Sequence, residues 1–124
     1  MKNYQIEGSD RSPAVNIDGN TGIIDISGIS NFKSPDFFYK NLTRWILAFN
    51  KYPNKTRIVN IRLIHINKSS AKWLKYALEQ LEKNSDVYAK PQINWYCSNQ
   101  NEFVLTMGEK YRSALKLPFY IIAA

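Results

Sequence analysis

The 124-residue chain has one cysteine and one histidine, and these two shortages exclude a good deal. A single thiol rules out an internal disulfide, and one His with one Cys cannot supply the usual zinc ligand sets, so no metal centre is expected. No apolar run approaches the roughly 20 residues that a membrane span needs. The N-terminal MKNYQIEGSD lacks the apolar core of a secretory leader. A cytoplasmic bacterial protein is the expectation from these absences. The sequence also contains no G-x-G-x-x-G, Walker loop, H-E-x-x-H or G-x-S-x-G. The common nucleotide, metalloprotease and hydrolase signatures are therefore missing, and no cofactor is expected.

Acidic residues are absent from positions 40–75, a window that holds nine basic ones: Lys40, Arg44, Lys51, Lys55, Arg57, Arg62, Lys68, Lys72 and Lys75. The rest of the chain has eight basic and ten acidic residues, so the net charge of +7 is concentrated in this window. A local positive field attracts an acidic protein face, a phosphate or nucleic acid, although a solvated surface gives the same composition. Aromatic and basic residues alternate in Lys72-Trp73-Leu74-Lys75-Tyr76. On a helix these fall on different flanks and build no stacking platform, which disfavours nucleic acid. His65 and Cys97 lie near the ends of two expected strands. If those strands were neighbours, the pair would form a thiol-imidazole dyad, the one enzyme arrangement these residues permit. The ordinary reading is a buried Cys and a packed His.

The chain is long enough for one domain, residues 1–124, and a domain of this size buries about two-thirds of its unfolded surface. Residues 4–7 read as a short strand. Val15, Ile17, Ile23 or Ile24, and Ile26 alternate around Asp18-Gly19-Asn20, a hairpin signal. Ser34-Pro35 reads as a cap and first turn of a helix over 35–50, with Phe38, Leu42, Trp45, Ile46 and Phe49 at helical spacing. Tyr52-Pro53-Asn54 makes a turn. Residues 57–66 form a strand apolar enough to be buried on both faces, followed almost at once by an amphipathic helix over 70–83 with Ala71, Leu74, Ala77, Leu78 and Leu81 inward. A loop over 84–91 precedes a strand at 92–97. Asn99 with Glu102 resembles a capping box for a helix to about 115, which Pro118 stops before a last strand or packed tail at 119–122. The expected fold class is α/β, with one mixed sheet, 57–66 as an inner strand and about three helices.

The joint Asn67-Lys68-Ser69-Ser70 is the most informative stretch. Small hydroxyl side chains stand where a helix start offers unpaired N–H groups and a partial positive charge. The flank that carries Ser69, Trp73 and Tyr76, with Lys68, Lys72 and Lys75 beside it, leaves two aromatics off the core stripe. Aromatics ringed by positive charge suit an acidic protein partner.

In order and spacing, several strings resemble the SiaC-type bacterial regulatory phosphoproteins, whose fold is similar to STAS domains and anti-sigma-factor antagonists. They are Pro13-Ala14-Val15 with Asp18 and Gly22, Gly28-x-Ser30, Asn67-x-Ser69-Ser70-x-Lys72, Leu81-Glu82, Trp95-Tyr96, and Glu109-x-Tyr111 before Pro118-Phe119. The resemblance implies a non-enzymatic switch protein. In that family a kinase phosphorylates a threonine at the strand-to-helix joint, a PP2C-type phosphatase removes the phosphate, and the unmodified form activates a diguanylate cyclase. Three positions depart from the pattern. The threonine falls on Lys68, an Arg usual after Gly28 is Ile29, and the usual acidic run is Ser98-Asn99-Gln100-Asn101-Glu102. If a switch persists here, its acceptor is expected at Ser69, with Ser70 second, and the partner surface at Asn67, Lys68, Ser69, Lys72, Trp73, Lys75 and Tyr76.

Overall fold

A computed structural model of the chain describes residues 3–51, 56–85 and 90–124. The expected turn at Tyr52, Pro53 and Asn54 and the middle of the expected loop 84–91 lie outside the described residues. The alternation around Asp18 becomes an antiparallel pair, β2 (Ala14–Asp18) with β3 (Ile23–Ser30). Val15 sits opposite Ile26 and Ile17 opposite Ile24, all four buried, so Ile24 is the inward residue of the Ile23-Ile24 pair. Asp18 shapes the turn by accepting the N–H groups of Asn20 at 2.9 Å and Thr21 at 3.3 Å. Gly22, at φ 77°, closes it with an N–H bond to the Asp18 carbonyl.

β1 (Tyr4–Ile6) adds to β2, and β4 (Ile58–Ile66), β5 (Gln92–Cys97) and β6 (Phe119–Ala123) follow β3 as parallel neighbours. The six strands thus stand in chain order, with β4 in the interior of the sheet. Three helices make the crossovers: α1 (Asp36–Asn50), α2 (Lys68–Lys83) and α3 (Glu102–Ala114). All three cover the face that carries Val59, Ile61, Ile93 and Trp95, where one continuous core forms.

The other face is open, which corrects the expectation that residues 57–66 are buried on both sides. Asn60 is half-buried and Arg62 exposed, alternating with the buried Val59, Ile61 and Leu63. An amide ladder runs across this face. Gln92 donates to Asn94 at 2.9 Å, Asn94 to Asn60 at 3.0 Å, and Asn60 to Asp25 at 3.1 Å. Arg62 adds an exposed ion pair to Asp25 at 3.1 Å and lies 4.2 Å over the Tyr96 ring. A bulge interrupts the β3–β4 pairing before its last two residue pairs. Gly28, at φ 103°, pairs with Leu63, but Ile29 pairs with His65, so Ile64 is the extra residue and is left 69% exposed.

The helix starts differ from the expected ones. Pro35 itself occupies the cap position of α1 and no side chain caps that helix, so Ser34 does not serve. Helix α2 begins at Lys68, two residues before the expected start, because Asn67 caps it. Asn101 rather than Asn99 caps α3, accepting from the Val104 N–H at 3.3 Å and donating to the Ile64 carbonyl at 2.7 Å. In α1 Tyr39 is buried with Leu42, Ile46 and Phe49, while Phe38 and Trp45 are half-buried. Tyr4 stacks on Trp45 at 5.2 Å.

Candidate functional site

The joint between β4 and α2 is held from one side by the segment after β3. Asn67 Oδ1 accepts the Ser70 N–H at 3.0 Å, and Asn67 Nδ2 donates to the Phe32 carbonyl at 2.7 Å. Ser69 Oγ donates to the same carbonyl at 3.3 Å and is half-buried. Asn67 therefore fixes both the start of the helix and its attachment to residue 32, an arrangement worth roughly 1 kcal/mol for the cap alone. Phe32 packs against Phe38 at 5.0 Å and Tyr39 at 6.1 Å, so the carbonyl is carried on an aromatic cluster at the start of α1.

Ser70 turns inward and is fully buried, as is Ser30 at the end of β3. Ser30 Oγ and the Tyr39 hydroxyl lie 2.5 Å apart. The Tyr39 phenol is pushed up to about 12, chiefly by burial, with the Ser30 and Ser70 hydroxyls partly offsetting that. Ser70 Oγ lies near this phenol but makes no hydrogen bond of ordinary geometry. Tyr111, from α3, donates its hydroxyl to the Ala71 carbonyl and is raised further, again by burial first. The first turn of α2 thus has a buried hydroxyl side and a solvent side. The solvent side carries Lys68 and Lys72, both exposed.

Further along α2, Trp73 and Tyr76 meet edge to face at 5.7 Å. Trp73 is half-buried and Tyr76 is 46% exposed. Lys40 of α1, which is not among the expected surface residues, places its ammonium 5.9 Å over the Trp73 ring. Lys40, Lys72, Trp73 and Tyr76 line one shallow depression between α1 and α2. Lys75 is half-buried and opens instead towards α3, where Lys68 and Lys72 join it. The expected residues are thus brought onto one helix and divided between its two flanks. Lys40 sits off the apolar stripe of α1, a signal that marks it as outward but not as a neighbour of Trp73.

His65 and Cys97 do not assemble, which corrects the dyad reading. Cys97 is buried on the helix-covered face, whereas His65 is exposed beyond the bulge. Burial pushes the Cys97 thiol up and the Glu109 carboxylate adds to the shift, the reverse of what an attacking thiolate requires. Among the described residues no group of His, Cys, Asp and Glu could hold a metal ion. No helix among the described residues is long and apolar enough to cross a membrane.

A family-level sequence profile described as SiaC family regulatory phosphoprotein matches residues 6–124. The chain belongs to the SiaC family. An uncharacterized protein of Pseudomonas aeruginosa (strain UCBPP-PA14) is 24% identical over 123 residues, which is 99% of this chain and 98% of that protein. The crystal structure of apo-SiaC from Pseudomonas aeruginosa matches with a TM-score of 0.88 at 24% identity, over 99% of this chain and 100% of that one. A crystal structure of the diguanylate cyclase SiaD in complex with its activator SiaC, from the same organism, matches with a TM-score of 0.87 at 24% identity, over 98% and 99% of the two chains. These structural likenesses establish the α/β fold, one mixed sheet with three helices. Membership of a family of regulatory phosphoproteins rests on the profile.

Proposed function

We propose that this SiaC-family regulator is not itself an enzyme and acts in the cytoplasm by binding a partner enzyme of the diguanylate cyclase class. The observation that carries the reading is the Trp73–Tyr76 pair, accessible on α2 and flanked by Lys40 and Lys72, on a face with no catalytic set. The SiaC chain whose fold this one shares is described as an activator of the cyclase SiaD, which supports a partner of that class. Lys68, Lys75, Asn67 and Ser69 belong to the same proposed surface. An edge-to-face aromatic pair supplies anchor area, and the lysines steer an acidic face towards it.

Control by a serine/threonine kinase and a PP2C-type phosphatase is part of the proposal, with Ser69 as the acceptor. Ser69 Oγ is half-buried and held only at 3.3 Å by the Phe32 carbonyl and 3.5 Å by Asn67 Oδ1, whereas Ser70 is fully buried. A phosphate on Ser69 would bring about −1.5 to −2 charges beside Lys68 and Lys72 and displace the bond to residue 32. The test is cyclase activation in vitro with purified partner. Trp73→Ala and Lys72→Glu each weaken activation, and activation that survives both places the surface elsewhere. Intact mass after incubation with the cognate kinase tests the acceptor. No added phosphate means that Lys68 has fixed the protein in one state, and phosphate that persists in Ser69→Ala but vanishes in Ser70→Ala overturns the assignment.

A further inference from the structure

The sheet ends at β6, and among the described residues no strand pairs with its outer side. The Ile93 N–H bonds the Pro118 carbonyl at 2.8 Å and the Ala124 N–H bonds the Cys97 carbonyl at 3.0 Å, so residues 118, 120, 122 and 124 turn their backbone groups towards β5. Phe119, Ile121 and Ala123 turn theirs outward, each with an unpaired N–H and carbonyl. Such a row is a template for another strand, and proteins that keep an edge free blunt it with charge, Pro or a bulge. β6 has none of these. No Asp, Glu, Lys, Arg or His occurs from Leu117 to Ala124, Pro118 precedes the strand, and the β5–β6 register runs without a shift. On the open face Tyr120 is 53% exposed, with Ile122 half-buried beside it. The opposite edge, β1, is only three residues long and is followed by Glu7.

We infer that β6 pairs with β6 of a second copy of this chain, antiparallel and centred on Ile121. In that register Ile121 stands opposite Ile121 of the second copy and Phe119 opposite Ala123, so residues with outward groups face each other and every outward N–H and carbonyl of both copies finds its partner. Tyr120 falls opposite Ile122, at a closely spaced position that suits an aromatic with a β-branched side chain. The strand is its own complement, whereas a foreign strand that relied on charge would find none to match on this edge. The basic window 40–75 spans α1, β4 and α2, which leaves the β6 edge clear of the repulsion that two chains of net charge +7 otherwise exert on each other. Opposed residues of an antiparallel pair share a face. The helices of both copies therefore lie on one side of a continuous sheet, and the dimer offers two Trp73–Tyr76 pairs to that side. A strand of five residues is about 17 Å long, too short alone to bury the roughly 1,200 Å² of a stable complex, so the dimer is weak and reversible. The pairing shares no residue with the proposed partner surface and does not depend on the cyclase reading.

Sedimentation velocity of the whole chain from about 1 μM to about 1 mM is the test. The wild type passes from monomer to dimer over that range. Ala123→Pro removes an outward N–H and leaves the bonds to β5 in place, and Tyr120→Lys sets a charge beside Ile122. Both positions are exposed, so both variants keep the circular dichroism spectrum of the parent, and each weakens dimerisation roughly tenfold or more. Cross-linking reads the register. Tyr120→Cys protein mixed with Ile122→Cys protein forms a disulfide-linked dimer under mild oxidation, because the opposed Cα atoms stand about 4.5 Å apart. Tyr120→Cys protein alone cross-links far less, since its like residues lie on a diagonal of about 7–8 Å, and the native Cys97 is buried. Raising the salt from about 0.01 M to about 1 M does not weaken the dimer, because no ion pair holds it. A monomer at every concentration, species larger than a dimer, or a dimer unchanged in both Ala123→Pro and Tyr120→Lys overturns the proposal. So does a dimer lost in Trp73→Ala or in high salt, or equal cross-linking of Tyr120→Cys protein alone and of the mixture.

Discussion

Replacing Gly108 with alanine pits two effects against each other, and the structure says which wins. Gly108 lies in the middle of α3, where alanine should favour the helix by about 1 kcal/mol. Its Cα faces the fully buried Trp95, however, and a Cβ there would stand 2.5 Å from both indole Cδ1 and Nε1. Ordinary contact needs about 3.5 Å or more, so the ring or the helix must move by about 1 Å. The ring is poorly placed to move. Its N–H donates to the Val104 carbonyl at 3.0 Å, Tyr111 meets it edge-on at 5.4 Å, and Phe119 stacks on it at 6.1 Å. Overpacking of this kind costs roughly 1–3 kcal/mol, and a buried indole N–H left without its acceptor costs about 1–3 kcal/mol more. Gly108→Ala should therefore lose roughly 1–5 kcal/mol net, which for a chain of this length lowers Tm by something like 5–25 °C. Urea and thermal unfolding by circular dichroism measure it, and the near-ultraviolet signal of the indole should change in the folded state. The replacement of Trp95 by Phe, made in the same chain, should recover part of the loss, because the two changes share one contact. A Gly108→Ala protein more stable than the parent by about 1 kcal/mol would show that propensity governs and that α3 is free to lift, and the reasoning would fail.

Three further outcomes follow from the joint and the buried hydroxyls. Asn67→Ala removes the cap on α2 and the bond to the Phe32 carbonyl together, and should cost roughly 1–3 kcal/mol in urea unfolding; a loss under about 0.3 kcal/mol would deny Asn67 this role. Ser70→Ala deletes a buried hydroxyl that makes no ordinary hydrogen bond, and should leave stability unchanged or raise it by up to about 1 kcal/mol. A clear loss there would mean that the hydroxyl has a partner. Tyr39, raised from 10.0 to about 12, and Tyr111, raised in the same direction, are held neutral by the fold. Their contribution is whole below the unfolded phenol value of about 10 and is lost as pH rises through the folded values, with about 1.4 kcal/mol at stake per unit. Stability measured from about pH 8 to about pH 12 should begin to fall near pH 10, and absorbance at about 295 nm should show two of the eight tyrosines ionising only with unfolding. All eight titrating near pH 10 in the folded protein would contradict the buried placement.

The sequence by itself determined the elements and the side of each that meets the core. Alternation around Asp18 and helical spacing in Leu42, Ile46 and Phe49 or in Leu74, Leu78 and Leu81 are periodic signals, and period converts directly into a buried face. It also marked the joint, because Asn and Ser before an apolar-periodic run are residues whose side chains can serve free N–H groups. Tertiary structure decided what periodicity does not carry. Composition read residues 57–66 as an apolar run, but Asn60 and Arg62 show that only one face of β4 is covered, and that depends on all three helices crossing on the same side. The cap of α3 fell to Asn101 because the carbonyl that anchors it, that of Ile64, is freed by a bulge in another strand. Lys40 of α1 reached Trp73 of α2, and Lys110 of α3 came to line the same depression as Lys75 of α2, only through the packing of helices far apart in sequence. Local preference is written residue by residue, whereas the meeting of two surfaces depends on how both elements are seated against the sheet.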